Sequence, residues 1–247
     1  MFPILQVGPV AIQVPGFILL AGLWIGLTFS ERLLAETKRP PVPLGVVSNL
    51  ALVSLLAGAL GARLGYVLTF PSAFQLNPWN LLSLNPGLLH LGIGLIAAIV
   101  AATIYSQRQG LAALLMLDVF TPLLAVLSTA WFFSSLASGA NFGLLTELPW
   151  AINLFGSLRH PSQIYDTLVA ALILAALWWQ RRSFQLGDGR LFFVFLAFTA
   201  GSRVFLEAFH ATGPSVLEGW RINQILAWLV LAFSLWILRN PKGSKSR

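Results

Sequence analysis

Seven runs of apolar residues, each about long enough to cross a bilayer as a helix, follow one another along the chain between short polar stretches. They cover about Gly16 to Leu34, Leu44 to Phe70, Gly87 to Tyr105, Leu111 to Leu136, Ser162 to Trp179, Leu191 to His210 and Ile222 to Leu238. The runs are continuously apolar rather than alternating, which predicts helices and argues against a closed barrel. Small residues four apart, Gly22 with Gly26 and Gly61 with Gly65, predict faces where helices approach closely. Pro122 falls inside the fourth run and marks a kink position. Ahead of the first run, Met1 to Val14 alternates and carries Pro3, Gly8 and Pro9, which predicts a short extended arm at the interface. Pro71 to Pro86 carries no charge and reads as an outer loop or interfacial half-helix around Trp79.

Composition agrees with the pattern. The chain of 247 residues is 57% hydrophobic and only 9% charged, so the expectation is an all-α integral membrane protein, a bundle of about seven transmembrane helices. At that length one transmembrane domain over residues 1–247 is expected. There is no cysteine, which removes disulfides, thiolate ligands and a cysteine nucleophile of its own. No Lys or Arg precedes Arg32, so the first run is read as a retained span rather than a cleaved signal.

The net charge of +7 changes meaning once it is mapped onto the spans. Arg32, Lys38, Arg39, Arg108, Arg181, Arg182, Arg190, Arg239, Lys242, Lys245 and Arg247 fall on one side, and the opposite loops hold Arg159 and Arg221. The positive-inside rule then sets the N-terminus outside and the C-terminus cytoplasmic. The charge is a topology signal, and nucleic acid is dropped as a partner. Trp178, Trp179 and Trp236 beside the basic residues read as an aromatic belt.

Arg63, Asp118, Arg203 and Glu207 lie inside spans, with His90 as a polar residue in an apolar run. Ionisable groups at such depth are costly and point to function by default. At about 1.5 Å of rise per residue, Arg63 is about 30 Å and Arg203 about 20 Å from the cytoplasmic ends of their spans. Together with His90 these positions predict a basic pocket in the outer half of the bilayer, fitted to a lipid phosphate. Asp118, nearer the cytoplasmic face, reads as a polar contact to a neighbouring helix. Arg203, Glu207 and His210 share one helix face, and a single carboxylate beside Arg203 would orient its guanidinium without cancelling the pocket.

The stretch from Glu147 to Asp166, ELPWAINLFGSLRHPSQIYD, joins two of the spans and closes on Arg159, His160, Ser162, Gln163, Tyr165 and Asp166. Such polar density at the mouth of an apolar segment reads either as a site or as a solvated loop leading into a helix cap. The sequence holds no HExxH, no GxSxG and no phosphate-binding glycine loop, so it lacks the signals of metalloproteases, serine hydrolases and nucleotide hydrolases.

Five segments, GARLGYV at Gly61 to Val67, LLHLGIGLIAA at Leu88 to Ala98, TELPWAI at Thr146 to Ile152, RHPSQIYD at Arg159 to Asp166 and GSRVFLEAF at Gly201 to Phe209, resemble the bacterial prolipoprotein diacylglyceryl transferases in order and spacing. The resemblance implies seven spans with the N-terminus outside. It also implies transfer of diacylglycerol from phosphatidylglycerol, or another anionic phospholipid, to the lipobox cysteine of a preprolipoprotein at the outer leaflet of the bacterial inner (plasma) membrane. No cofactor or metal is implied. By position, His90 matches the histidine of the family's HGG motif and becomes the candidate base, with Arg203 stabilising the departing phosphate. Arg63 and Tyr66 match positions lining the lipid site. Arg159, His160, Ser162, Gln163, Tyr165 and Glu207 complete the candidate substrate-binding set.

The pattern also departs from the family. An ungapped count back from Trp150 sets Phe132 at the family's signature arginine, Ser135 at its asparagine and Ala140 at its glutamate, while Gly139 and Gly143 keep the glycines. HGG is HLG here, with Leu91 intruding, and Pro15 and Thr199 stand about where the family has tyrosines. Arg159 or Arg221 is then the expected substitute for the missing charge. Three functions follow in order: the transferase, a lipid-binding relative without transfer, and a transporter suggested only by Asp118 and Pro122.

Overall fold

The computed structural model describes residues 4–7, 10–37, 42–43, 45–72, 89–211, 215–217 and 220–240. Seven helices among them are long and apolar enough to cross a membrane. They are α1 (Val14–Ala35), α2 (Val46–Thr69), α3 (Leu91–Arg108), α4 (Ala113–Ser138), α5 (Ser162–Gln180), α6 (Arg190–Leu206) and α7 (Ile222–Arg239). Each expected span meets its helix within about a turn. Most of the uncharged stretch from Pro71 to Pro86 lies outside the described residues, as does the tail beyond Asn240. The N-terminal arm is extended as expected, and pairs on itself as β1 (Ile4–Val7) and β2 (Val10–Gln13).

Local chemistry sets the helix ends. Pro15 sits in the first turn of α1, where its missing N–H costs nothing. Gly45 and Gly189 take left-handed backbone just before α2 and α6, and Gly139 (φ 78°) stops α4. Inside α4, Pro122 interrupts the hydrogen-bond ladder, and Ser30 Oγ of α1 accepts the Leu123 N–H at 3.2 Å.

The chain falls into two compact units, Met1–Lys38 with Leu117–Arg247, and Arg39–Met116. In the first, Gly22 and Gly26 of α1 press on Ala130 and Leu123 of α4. Its apolar core gathers Leu33, Ala125, Leu177, Leu191 and Phe195 from α1, α4, α5 and α6. In the second, α2 and α3 pack through Gly58, Gly61 and Gly65 against Gly94, Ala97 and Ile93. A Cβ on Gly61 would overlap the Ala97 methyl, and one on Gly94 would lie 2.8 Å from the Gly58 carbonyl oxygen. Both expected small-residue faces are therefore contact faces, with backbone close enough that no larger side chain fits.

Candidate functional site

The stretch between α4 and α5 is not a plain loop. Residues Ile152–Leu154 (β3) and Ser157–Arg159 (β4) form a hairpin turned by Phe155 and Gly156, both at positive φ. Bridges from Arg159 to Leu145 and from Gly143 to His210 extend the pairing back to the end of α6. Gly143 is pressed against the His160 backbone, where a Cβ would collide with the carbonyl. Ser162 Oγ donates to the Asn141 carbonyl at 2.9 Å, and Gln163 Nε2 to the Ala140 carbonyl at 2.9 Å. This knot sets the first turn of α5 beside the last turn of α6.

Arg203 lies in that last turn. Its Nη1 is 3.3 Å from Asp166 Oδ1, and its Nη2 is 2.8 Å from Glu207 Oε2. Both carboxylates are 1% exposed, whereas the arginine side chain is 28% exposed. Glu207 Oε1 also accepts from Asn223 Nδ2 at 3.1 Å, and the Arg221 guanidinium donates to the Glu207 carbonyl at 2.9 Å. Two carboxylates therefore flank Arg203 where one was expected. The second, Asp166, comes from α5 and lies 37 residues away in sequence. Arg203 and Arg221 therefore stand with the two carboxylates of Asp166 and Glu207 at this end of the unit, two cations against two anions.

His210 is almost fully buried, with Nε2 3.0 Å from Asp166 Oδ2. Neither atom completes an aligned hydrogen bond. The two atoms are close but misaligned, a contact without a formed hydrogen bond.

Beside Arg203 lies a narrow hollow between α4, α5 and α6. Its polar wall is Asp166, Thr199, Ser202, Arg203 and Ser128, and its apolar wall is Phe132, Ala170, Ile173 and Leu206. Thr199 Oγ1 is buried without a hydrogen-bond partner. The Arg203 guanidinium lies 5.8 Å from the centre of the Phe132 ring. Phe132 and Thr199, two positions that depart from the family pattern, thus line the same hollow as Arg203.

The remaining expected residues separate by surroundings. Arg159 stacks 4.8 Å over the Phe142 ring and donates to the Gly143 carbonyl at 3.3 Å, with its Nε buried and unpartnered. His160, Tyr165 and Phe209 form an edge-to-face trio, and the Tyr165 hydroxyl accepts from Trp150 Nε1 at 2.8 Å. His160 Nδ1 and Gln163 Oε1 are buried without partners. Neither Arg159 nor Arg221 lines the Arg203 cavity; each is engaged with backbone elsewhere. In the second unit, Arg63 and Tyr66 lie on α2, with the Tyr66 ring 4.9 Å from Phe70. His90 caps α3, its Nδ1 accepting the Ile93 N–H at 3.3 Å.

Asp166 is the main residue the sequence reading missed at this site. It closes the polar stretch in the sequence without entering the candidate set, yet Gln163 and Asp166, three apart, are buried on the helix face that continues through Ala170, where a solvated cap would leave them exposed.

Polar groups at the far end of α4 are arranged differently. Asp118 is fully buried and accepts the backbone N–H groups of Gly187 and Gly189 at 2.9 Å and of Phe192 at 3.2 Å, tying α4 to the start of α6. The expected contact to a neighbouring helix is met, which removes one of the two features that suggested a transporter. Nearby, Glu36 receives Arg181 at 2.8 Å, Arg32 at 3.3 Å and Arg182 at 3.6 Å. Partial desolvation pushes its carboxyl up, but the hydrogen bond and charge of Arg181, with Arg182 and Arg32, outweigh this and hold it below the ordinary range. A second narrow hollow opens here between Pro122, Leu174, Leu177, Trp178, Arg181 and Leu191.

Comparison with known proteins covers nearly the whole chain. The family model described as prolipoprotein diacylglyceryl transferase matches residues 3–239. Proteins named phosphatidylglycerol–prolipoprotein diacylglyceryl transferase are similar to it. That of Rhizobium leguminosarum bv. trifolii is 30% identical across 96% of this chain and 90% of the relative. That of Methylocella silvestris is 31% identical across 70% and 67%, and that of Corynebacterium diphtheriae 24% identical across 98% and 93%.

Proposed function

Because the chain belongs to the prolipoprotein diacylglyceryl transferase family, we propose that it transfers the diacylglycerol of phosphatidylglycerol to the lipobox cysteine thiol of a preprolipoprotein. It is a multi-pass membrane protein, and we place it in a bacterial inner membrane with its N-terminus outside and the reaction at the outer leaflet. In the transfer, a sulfur–carbon bond forms as the carbon–oxygen bond to the phosphate breaks, and glycerol phosphate departs.

The observation that carries this reading is the Arg203 guanidinium, fixed inside a span and still open to a cavity with one apolar wall. Of its five N–H donors, the two carboxylate contacts use two, leaving others for phosphate oxygens. Asp166 and Glu207 hold the fork in place, and the wall of Phe132, Ile173 and Leu206 suits the glyceride. We assign His160, Arg159 and Gln163 to substrate contact because each keeps an unpartnered polar atom. We assign Ser162, Tyr165 and Glu207 to holding that frame, and Arg63 and Tyr66 to the lipid on the strength of the family pattern.

One set of observations favours a second reading, lipid binding without transfer. The carboxylates cancel the charge of Arg203, and Phe132 occupies the wall where the family pattern has arginine. Purified protein in phosphatidylglycerol vesicles, given a lipobox peptide, separates the two. A thioether-linked product on the peptide supports transfer; retained lipid with no such product supports binding alone.

A further inference from the structure

Three guanidiniums gather on one carboxylate where α1 and α5 end. Glu36 follows α1 directly, and Arg181 and Arg182 follow α5 in a single turn of 3₁₀ helix. Arg181 binds the carboxylate through Nε and Nη2, donates Nη1 to the Trp178 carbonyl at 2.7 Å and stacks 4.2 Å over the Trp178 ring. Its donors are used. Arg32 and Arg182 reach the same carboxylate only through Nε, at 3.3 Å on Oε1 and 3.6 Å on Oε2. Their side chains are 68% and 80% exposed, and their Nη groups meet no partner among the described residues. Even with Glu31 counted, three arginines stand against two carboxylates here, and Asp188 and Arg190 at the head of α6 balance in number. Open guanidinium forks with so little counter-charge suit an anion from outside the chain.

The surface leading up to them is apolar. Trp24, Thr28 and Arg32 recur at helical spacing on the exposed side of α1, and Leu168, Leu172 and Trp179 on that of α5. Phe29 of one helix and Trp178 of the other are in ring contact at 4.4 Å. The exposed Trp179 ring suits headgroup depth, and the arginines come next along the chain.

We propose that Arg32 and Arg182 bind the phosphate of an anionic phospholipid in the leaflet at this end of the unit, with its acyl chains along the exposed faces of α1 and α5. The lipid is held and not consumed. Two planar forks present paired N–H groups to phosphate oxygens, while Glu36, itself fixed by Arg181, orients both. The site lies at the opposite end of α5 from Asp166 and does not depend on the transferase reading.

Native mass spectrometry of protein released from mixed phosphatidylcholine and phosphatidylglycerol vesicles counts the lipids retained. Wild type is expected to keep phosphatidylglycerol over phosphatidylcholine, and Arg32→Gln/Arg182→Gln to hold one fewer, with affinity down about tenfold. Arg181 still satisfies Glu36 in that variant, so the fold is kept. Arg190→Gln/Arg239→Gln removes the same charge from the same side. An equal loss there leaves only a general field and overturns the site, as does an unchanged count without Arg32 and Arg182. A second measurement uses wild type alone. Arginine modification by phenylglyoxal, read residue by residue, is expected to slow severalfold at Arg32 and Arg182, and not at Arg190 or Arg239, when phosphatidylglycerol is added to phosphatidylcholine vesicles. Unchanged rates overturn the proposal. Equal protection by inorganic phosphate in plain phosphatidylcholine vesicles gives the site to a free anion and overturns the lipid.

Discussion

The same three helices, α4, α5 and α6, part twice, and the two hollows, one beside Arg203 and one beside Arg181, are close in size. Some 14 residues of α4 separate Asp118 from Phe132, about 21 Å of helix. At the Asp118 end, the buried carboxylate has three backbone amides, and the cavity wall is largely apolar. At the Arg203 end, Thr199 Oγ1 lacks a hydrogen bond, and Asp166 Oδ2 and His210 Nε2 are close but misaligned. Burying a polar group unpaired costs about 1–3 kcal/mol. A fold tolerates several such groups in one place where something outside the chain completes them. Charge inside a span is thus a poor marker of function until its partners are counted.

The contrast breaks most visibly through Arg203→Lys, for which we predict a loss of roughly 10²-fold in transfer with the melting temperature shifted by only a few degrees. A lysine keeps the charge but cannot span two carboxylates and a phosphate. Arg32→Lys, at the other end, is expected to stay within about twofold of wild type, and equal losses for both would erase the distinction.

Asp118→Ala should do the reverse. Three amides, one of them fully buried, lose their acceptor, so we predict destabilisation of several kcal/mol, with unchanged specific activity in the folded fraction. Thermal melts in detergent alongside the thioether assay would show it; lost activity in well-folded protein would place Asp118 with the site.

Phe132→Arg sharpens the comparison rather than breaking it. It adds a second guanidinium to a wall whose charged residues are Arg203 and Asp166. We predict roughly tenfold tighter phosphatidylglycerol binding in vesicle titration, a gain of about 1.4 kcal/mol. Unchanged affinity would mean the lipid phosphate does not reach this hollow.

The smallest effect concerns Glu36. Its folded pKa is depressed by the arginines, so its contribution to stability is present above the unfolded carboxylate value and is lost as pH falls through the folded one. Melting temperatures of wild type should therefore drop more steeply than those of Glu36→Gln as the pH is taken from 6 towards 3. Parallel curves would show the arginine cluster to be stabilised by packing alone.

Much of this was readable beforehand. Continuous apolar runs announce spans whatever they pack against, and Gly61 and Gly65 announce a tight helix pair through size alone. The short strands β3 and β4 were not readable: three residues each carry too little alternation, and Phe155 occupies a left-handed turn position where Asn or Gly is the usual signal. The pairing of Arg203 with Asp166 depends on two helices meeting, which no single-helix spacing reveals. Asp118 showed its cost in the sequence but not its remedy, because its partners are backbone amides about seventy residues on.

That separation bears on how the protein is made. A ribosome-bound chain that has not yet reached Gly187 holds the Asp118 carboxylate without any of the three amides that later enclose it. The segment carrying it has reason to linger at the water's edge, or in the insertion machinery, until α5 and the head of α6 arrive. A cut or permutation of the gene between the fourth span and the head of the sixth would set the carboxylate and its three amides on separate chains or in reversed order.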